Sequence, residues 1–149
     1  MPKVLLPTQA RILEPFVDRD GTVIPITPLL SITARSMPGL SDAGLSSAWQ
    51  SRPTGPPGDL DLIAAVLLAP AVSAWAARRG FGSALSMNAI KLRAVDVLDI
   101  PLPLDRARWE QAAALVPEGP TAVDRISALM HEAYNGSPEL MSWWQRRRG

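Results

Sequence analysis

Fifteen prolines punctuate this 149-residue chain, roughly twice the usual share, and they limit how far any regular element can run. Residues 3 to 35 read as β structure. Ala10 to Val17 carries Ile12, Phe16 and Val17, and Asp18-Arg19-Asp20-Gly21 follows as a turn, with glycine where positive φ costs little. Thr22-Val23-Ile24 and Leu29 to Thr33 continue as short strands, and Pro25 and Pro28 between them place those strands at an edge or interrupt them. Ser36 to Gly58 is rich in Pro, Gly and Ser and carries Trp49 and Arg52. A loop of that length within one domain is usually functional or mobile, and Trp49 is either anchored on the domain or exposed to a partner.

Beyond that segment the periodicity turns helical. Asp59 reads as an N-cap ahead of Leu60, Ile63, Ala64 and Leu67. Pro70 suits the start of a second helix through Val72, Trp75 and Ala76 to Arg78-Arg79, with Gly80 as its C′ residue. Ile90 and Leu92 alternate with Lys91 and Arg93 as a strand with one apolar face. A single turn spans Val95 to Leu98, and Ile100-Pro101-Leu102-Pro103 reads as a last extended piece. Three helices close the chain. Asp105 caps the first, with Trp109, Ala112, Ala113 and Val116 on one stripe. Thr121 with Asp124 imitates a capping box for the second, which carries Val123, Ile126, Met130 and Ala133. Ser137-Pro138 opens the third, which groups Leu140, Trp143 and Trp144 and ends in Arg146-Arg147-Arg148. Trp75 and Trp109 read as core. The expected class is α+β: a short antiparallel or mixed sheet with a helix pair, followed by a small carboxy-terminal helical segment.

Composition excludes several function classes. Hydrophobic residues make up 47% and charged residues 19%, too apolar for a disordered chain. The absence of cysteine removes disulfide scaffolds, thiolate zinc sites and cysteine nucleophiles. The formal net charge of +1 gives no strong global field toward nucleic acid or lipid. Leu62 to Ala77, the longest uncharged apolar run, falls short of the ~20 residues that span a bilayer, and no signal peptide is visible. The chain therefore reads as a soluble cytoplasmic domain. Of 15 basic residues only Lys3 and Lys91 are lysine, a bias that genome composition explains as easily as function.

Catalytic patterns are missing. His131, the one histidine, lies mid-helix beside Glu132 with no second ligand at metal spacing, and reads as structural. Gly80-Phe81-Gly82-Ser83-Ala84 lacks the third glycine of a dinucleotide loop, the lysine of a P-loop and the flanks of a nucleophile elbow. Asp96 and Asp99 read as a solvated turn rather than an acid–base pair.

The middle of the chain carries a resemblance. A helix pair ending in Arg78-Arg79, a glycine turn, Ala84-Leu85-Ser86-Met87-Asn88-Ala89-Ile90-Lys91-Leu92-Arg93, a short turn and Ile100-Pro101-Leu102-Pro103 stand in that order. This arrangement resembles the target recognition domains of type I restriction–modification specificity subunits and related N-6 adenine DNA methyltransferases. Lys3 to Arg11 with the Asp18-to-Gly21 turn is similar to the first strands of that domain in actinobacterial N-6 DNA methylases. Ala133-Tyr134-Asn135-Gly136 through Trp143-Trp144 is similar to their carboxy-terminal helices. The likeness covers most of the chain apart from the 36–58 loop. It implies a recognition domain over residues 1–104 and a helical extension over 105–149 packed on the same domain.

The departure from that family is the catalytic half. No Asn-Pro-Pro-Tyr/Phe motif holds a flipped adenine, and no glycine-rich loop follows a strand to bind S-adenosylmethionine. The resemblance thus implies a non-enzymatic module without cofactor or metal. Its partners would be double-stranded DNA and a methyltransferase catalytic subunit or domain. Arg78, Arg79, Lys91 and Arg93 flank the polar loop of Ser83, Ser86 and Asn88 and would supply a local basic face, with Gln9 and Arg11 on the first strands. Arginine offers a fork to guanine, and Asn88 or Gln9 an amide pair to adenine. Two plainer readings stand beside this one. Arg78 and Arg79 also complement a helix C-terminus, and Lys91 and Arg93 also suit an exposed strand face. For Arg146 to Arg148 phosphate contact is one reading, and a frayed charged terminus outside the DNA face is the plainer one. The alternative function is a protein-interaction or regulatory module of the same fold that binds no DNA.

Overall fold

A computed structural model describes residues 1–33, 58–80 and 89–149. Trp49, Arg52 and all of the 36–58 loop except Gly58 lie outside the described residues, as do Ser83, Ser86 and Asn88. The fold is α+β. Strand β1 (Lys3–Pro7) is the centre of a three-stranded antiparallel sheet, flanked by β3 (Phe16–Asp18) and β4 (Leu29–Ile32). The two-residue strands β2 (Gln9–Ala10) and β5 (Ile90–Lys91) form a separate antiparallel pair, with Gln9 opposite Lys91. Helices α1 (Asp59–Leu67) and α2 (Pro70–Arg79) follow β4, and the single turn α3 (Ala94–Leu98) follows β5. Helix α4 (Arg106–Leu115) runs through a 3₁₀ segment at Val116–Ala122 into α5 (Val123–Ala133), and α6 (Pro138–Arg148) comes last.

One apolar core joins the sheet to the helices. Val4 and Leu6 of β1, Leu13, Leu67 and Val72 of the helix pair, Ile90 of β5, and Ile126 and Met130 of α5 are nearly inaccessible to solvent. Each buried side chain of this size contributes about 1.5–3 kcal/mol relative to exposure. The apolar run of the sequence becomes α1 and α2, bent by 65° at their junction, and its length is spent inside this core. Among the described residues no single helix is long and apolar enough to cross a membrane.

Several local expectations are corrected. Thr22-Val23-Ile24 forms no strand. The Asp18 carboxylate accepts hydrogen bonds from the backbone N–H groups of Gly21, Thr22 and Val23, taking donors that a ladder would need. Lys3 lies directly opposite Asp18 and donates to it at 2.6 Å, so a lysine on a buried strand position is paired, and that bond holds the Asp18 carboxyl below its usual range. Gly21 has φ +69° and rests against the backbone of Met1, where any Cβ would collide. Ala10 to Val17 is likewise no continuous strand, since β2 ends at Ala10 and β3 starts at Phe16.

The caps shift as well. Gly58, not Asp59, is the N-cap of α1; Asp61 accepts from its backbone N–H and does the capping. Gly80 has φ −84° and is the C-cap of α2 rather than a left-handed C′ residue. Glycine suits this position because a Cβ would stand 3.0 Å from the Lys91 carbonyl oxygen, a contact that the neighbouring strand would have to relieve. Thr121 caps nothing: its hydroxyl donates to the Glu118 carbonyl, and the 3₁₀ segment supplies Pro120 O to the Val123 N–H. Residues 100–103, expected as an extended piece, join no sheet, as two of the four lack an N–H donor. Trp75 is half-buried rather than core, whereas Trp109 is buried and donates its indole N–H to Leu62 O at 2.8 Å. In α6 only Trp144 is buried; Leu140 and Trp143 are half-exposed.

Candidate nucleic-acid interface

The β2–β5 pair brings Gln9 and Lys91, 82 positions apart, into register. Antiparallel pairing sets Gln9 beside Lys91, both exposed, and Leu92 N–H donates to Thr8 O at 3.1 Å to extend the contact. The end of α2 is held against the same strand by the close approach of Gly80 to Lys91. Further along, the buried Ser73 hydroxyl accepts from Leu13 N–H at 3.1 Å. The chain from Gln9 to Leu13 therefore runs alongside α2 in the opposite direction, which puts the exposed Arg11 beside the helix that carries the exposed Arg78. Gln9 and Lys91 are thereby brought together with Arg11 two residues along the chain, while Arg78 is exposed on the last turn of α2, on the side turned away from the buried Ser73 and Ala76.

Arg79 and Arg93 go elsewhere. Arg79 lies over the Trp75 ring, 4.8 Å from its centroid, and its guanidinium reaches Asp99 at 2.9 Å and Asp96 at 3.7 Å. Arg93 donates to Asp96 through Nε at 3.0 Å and Nη2 at 2.9 Å. Asp96 is buried despite its charge, and also accepts from Arg93 N–H, as the cap of α3. The hydrogen bonds from Arg93 hold its carboxyl down at about 2. Two carboxylates thus engage both arginines: Asp96 is buried and ion-paired rather than solvated, whereas Asp99 is ion-paired and exposed as expected.

The third group of cations was not legible in the sequence as part of this surface. Arg147 of α6 lies over the Trp143 ring, 5.0 Å from its centroid, and donates from Nε to the Arg11 carbonyl at 2.8 Å. This contact joins residues 136 positions apart, and no periodicity or spacing announces it. Lys3, Arg19, Arg106, Arg108, Arg125 and Arg148 each form an ion pair with a carboxylate. Among the described residues, Arg11, Arg78 and Arg146 have no carboxylate partner, and all three are exposed.

Other chemistry is sparse. Among the described residues no group of three His, Asp or Glu side chains is placed to hold a metal ion. His131 is half-buried, with Nδ1 buried and unpartnered, and its ring fills the space where a Cβ on Gly136 would stand. An apolar groove of ≈ 590 Å³ lies between α1, α3 and α4, lined by residues including Ile32, Leu62, Val66, Leu98 and Trp109. Leu98, Leu102 and Leu104 are strongly exposed along or beside it. The sequence matches no protein-family model and no curated protein, and the fold matches no solved structure.

Proposed function

We propose that this chain is a DNA-recognition module that serves an N-6 adenine DNA methyltransferase in the cytoplasm and carries no catalysis itself. The observation that supports it is the register of the β2–β5 pair, which sets the exposed Gln9 beside Lys91 with the exposed Arg11 two residues on. An exposed side-chain amide among cations combines the two needs of sequence-selective binding: phosphate contacts for affinity and a base-edge reader for choice. The segment likeness to target recognition domains points the same way. Arg79 and Arg93 frame this surface rather than form it, because Asp96 and Asp99 already engage them.

A duplex-DNA titration at two salt concentrations tests the proposal. Binding is expected in the range of about 10⁻⁴ to 10⁻⁶ M at physiological salt and to tighten steeply at low salt. Affinity indifferent to salt would remove the electrostatic surface on which the reading rests. The isolated chain is expected to bind no S-adenosylmethionine by calorimetry and to transfer no methyl group to DNA.

The apolar groove favours a second reading, a protein-interaction module. The two differ in what a variant does: Leu98→Asp with Leu102→Asp disrupts the second function and leaves DNA binding intact.

A further inference from the structure

The deciding feature is where arginines without a carboxylate partner sit. Arg11 lies at the surface just described, Arg78 is exposed on the last turn of α2, and the third, Arg146, is next to the residue that α6 docks against Arg11. Helix α6 is fixed there by more than one contact. Trp144 is 1% exposed and anchors the helix to the body of the protein, while α6 also packs on α2. Arg147 is gripped between the Trp143 ring and the Arg11 carbonyl. The last turn of α6 is therefore built into the fold beside Arg11, and the backbone that carries Arg146 is held there.

We infer that α6 belongs to the DNA-contacting surface: Arg146 contacts a phosphate directly, and Arg147 is a positioning residue that holds the Arg11 segment. The inference rests on the DNA-binding reading and extends it to a helix that the sequence placed outside the interface. Phosphate recognition suits an exposed guanidinium with all its donors available. Arg148, two residues on, does not share the role, because Asp124 takes its guanidinium. The division within three consecutive arginines is thus set by their partners and not by their charge.

The test uses the full chain and a short labelled duplex of mixed sequence, titrated across a range of salt concentrations. Loss of one phosphate contact lowers the slope of log affinity against log salt by about 0.9, which is about fivefold in affinity near physiological salt. Arg146→Gln is expected to show that loss. Arg125→Gln removes an equal charge from an arginine that is paired with Glu118, and is expected to leave the slope unchanged. Arg147→Lys keeps the charge but loses the directed N–H to the Arg11 carbonyl. It is expected to weaken binding at unchanged Tm, with no additional loss when combined with Arg11→Gln. If Arg146→Gln behaves like Arg125→Gln while the parent chain still binds with a steep slope, the inference about α6 is overturned and the DNA-binding reading stands. Additive losses for Arg147→Lys and Arg11→Gln overturn the positioning role. A parent chain that shows no salt-dependent binding overturns both readings together.

Discussion

Two arginine-bearing regions of this protein have opposite electrostatic fates. At the α2–α3 corner, Arg79 and Arg93 converge on Asp96 and Asp99, and each guanidinium is neutralised locally. At the β2–α6 surface Arg11 and Arg146 meet no carboxylate among the described residues, and neither does Arg78 on the last turn of α2. Arg78 and Arg79 are neighbours on one helix and differ in the same way. The contrast teaches that a basic binding face is defined by where the acids are, since the field of a paired arginine is largely cancelled by its carboxylate at distances greater than the separation of the two charges. Counting cations along a sequence cannot make that distinction.

The largest expected effect separates the regions physically. Trp144 is buried and holds α6 in place, so Trp144→Ala is expected to cost about 3–5 kcal/mol of stability in chemical denaturation. Under conditions where the variant remains folded, it should lose DNA affinity through the displaced α6 while the α2–α3 corner persists. A change below about 1 kcal/mol would mean that the indole is not fully packed.

Acid separates them differently. Asp96 has its carboxyl lowered from 3.8 to about 2, chiefly by hydrogen bonds from Arg93. A carboxyl that is depressed on folding stabilises the protein fully above its ordinary value, and that contribution drains away as pH falls from 3.8 through about 2. Asp96→Asn should therefore be less stable than the parent near neutrality, and the gap should close in the acid range. A gap that stays constant down to pH of about 2 would show that the carboxylate charge is not what the corner uses.

The smallest effect is the sharpest comparison. Arg78→Gln is expected to lower DNA affinity about fivefold and to reduce the salt slope by about 0.9. Arg79→Gln, one residue on, is expected to change the slope by far less, because its charge is already spent on Asp96 and Asp99. Equal losses at the two positions would erase the distinction between the regions.

What was legible in the sequence divides along the range of the interactions. Leu60, Ala64 and Leu67 in α1, and Ile126, Met130 and Ala133 in α5, repeat at helical spacing and are buried as that spacing requires. The caps at Asp105 and Ser137 were legible because their partners are three residues away. Thr22 to Ile24 looked β-prone, but Asp18 claimed the backbone donors. Gly80 does end α2, but the constraint on it is a carbonyl eleven residues further along the chain. For the candidate site, Gln9, Arg11, Arg78 and Lys91 were all named from sequence. Separating them from Arg79 and Arg93 needed the ion pairs, and adding Arg146 needed the contact between Arg147 and Arg11.

The packing of Gly136 against His131 has a spectroscopic consequence. This chain holds one histidine, and its imidazole is wedged against the glycine that links α5 to α6, 2.4 Å from where a Cβ would be. A single imidazole gives one isolated set of ring resonances with nothing to assign against. Because that ring touches the pivot from which α6 reaches Arg11, its chemical shift registers any change in how the helix is seated. The protein thus carries its own label for the movement of α6, and a DNA titration followed at that one signal reports on the helix without any probe being attached.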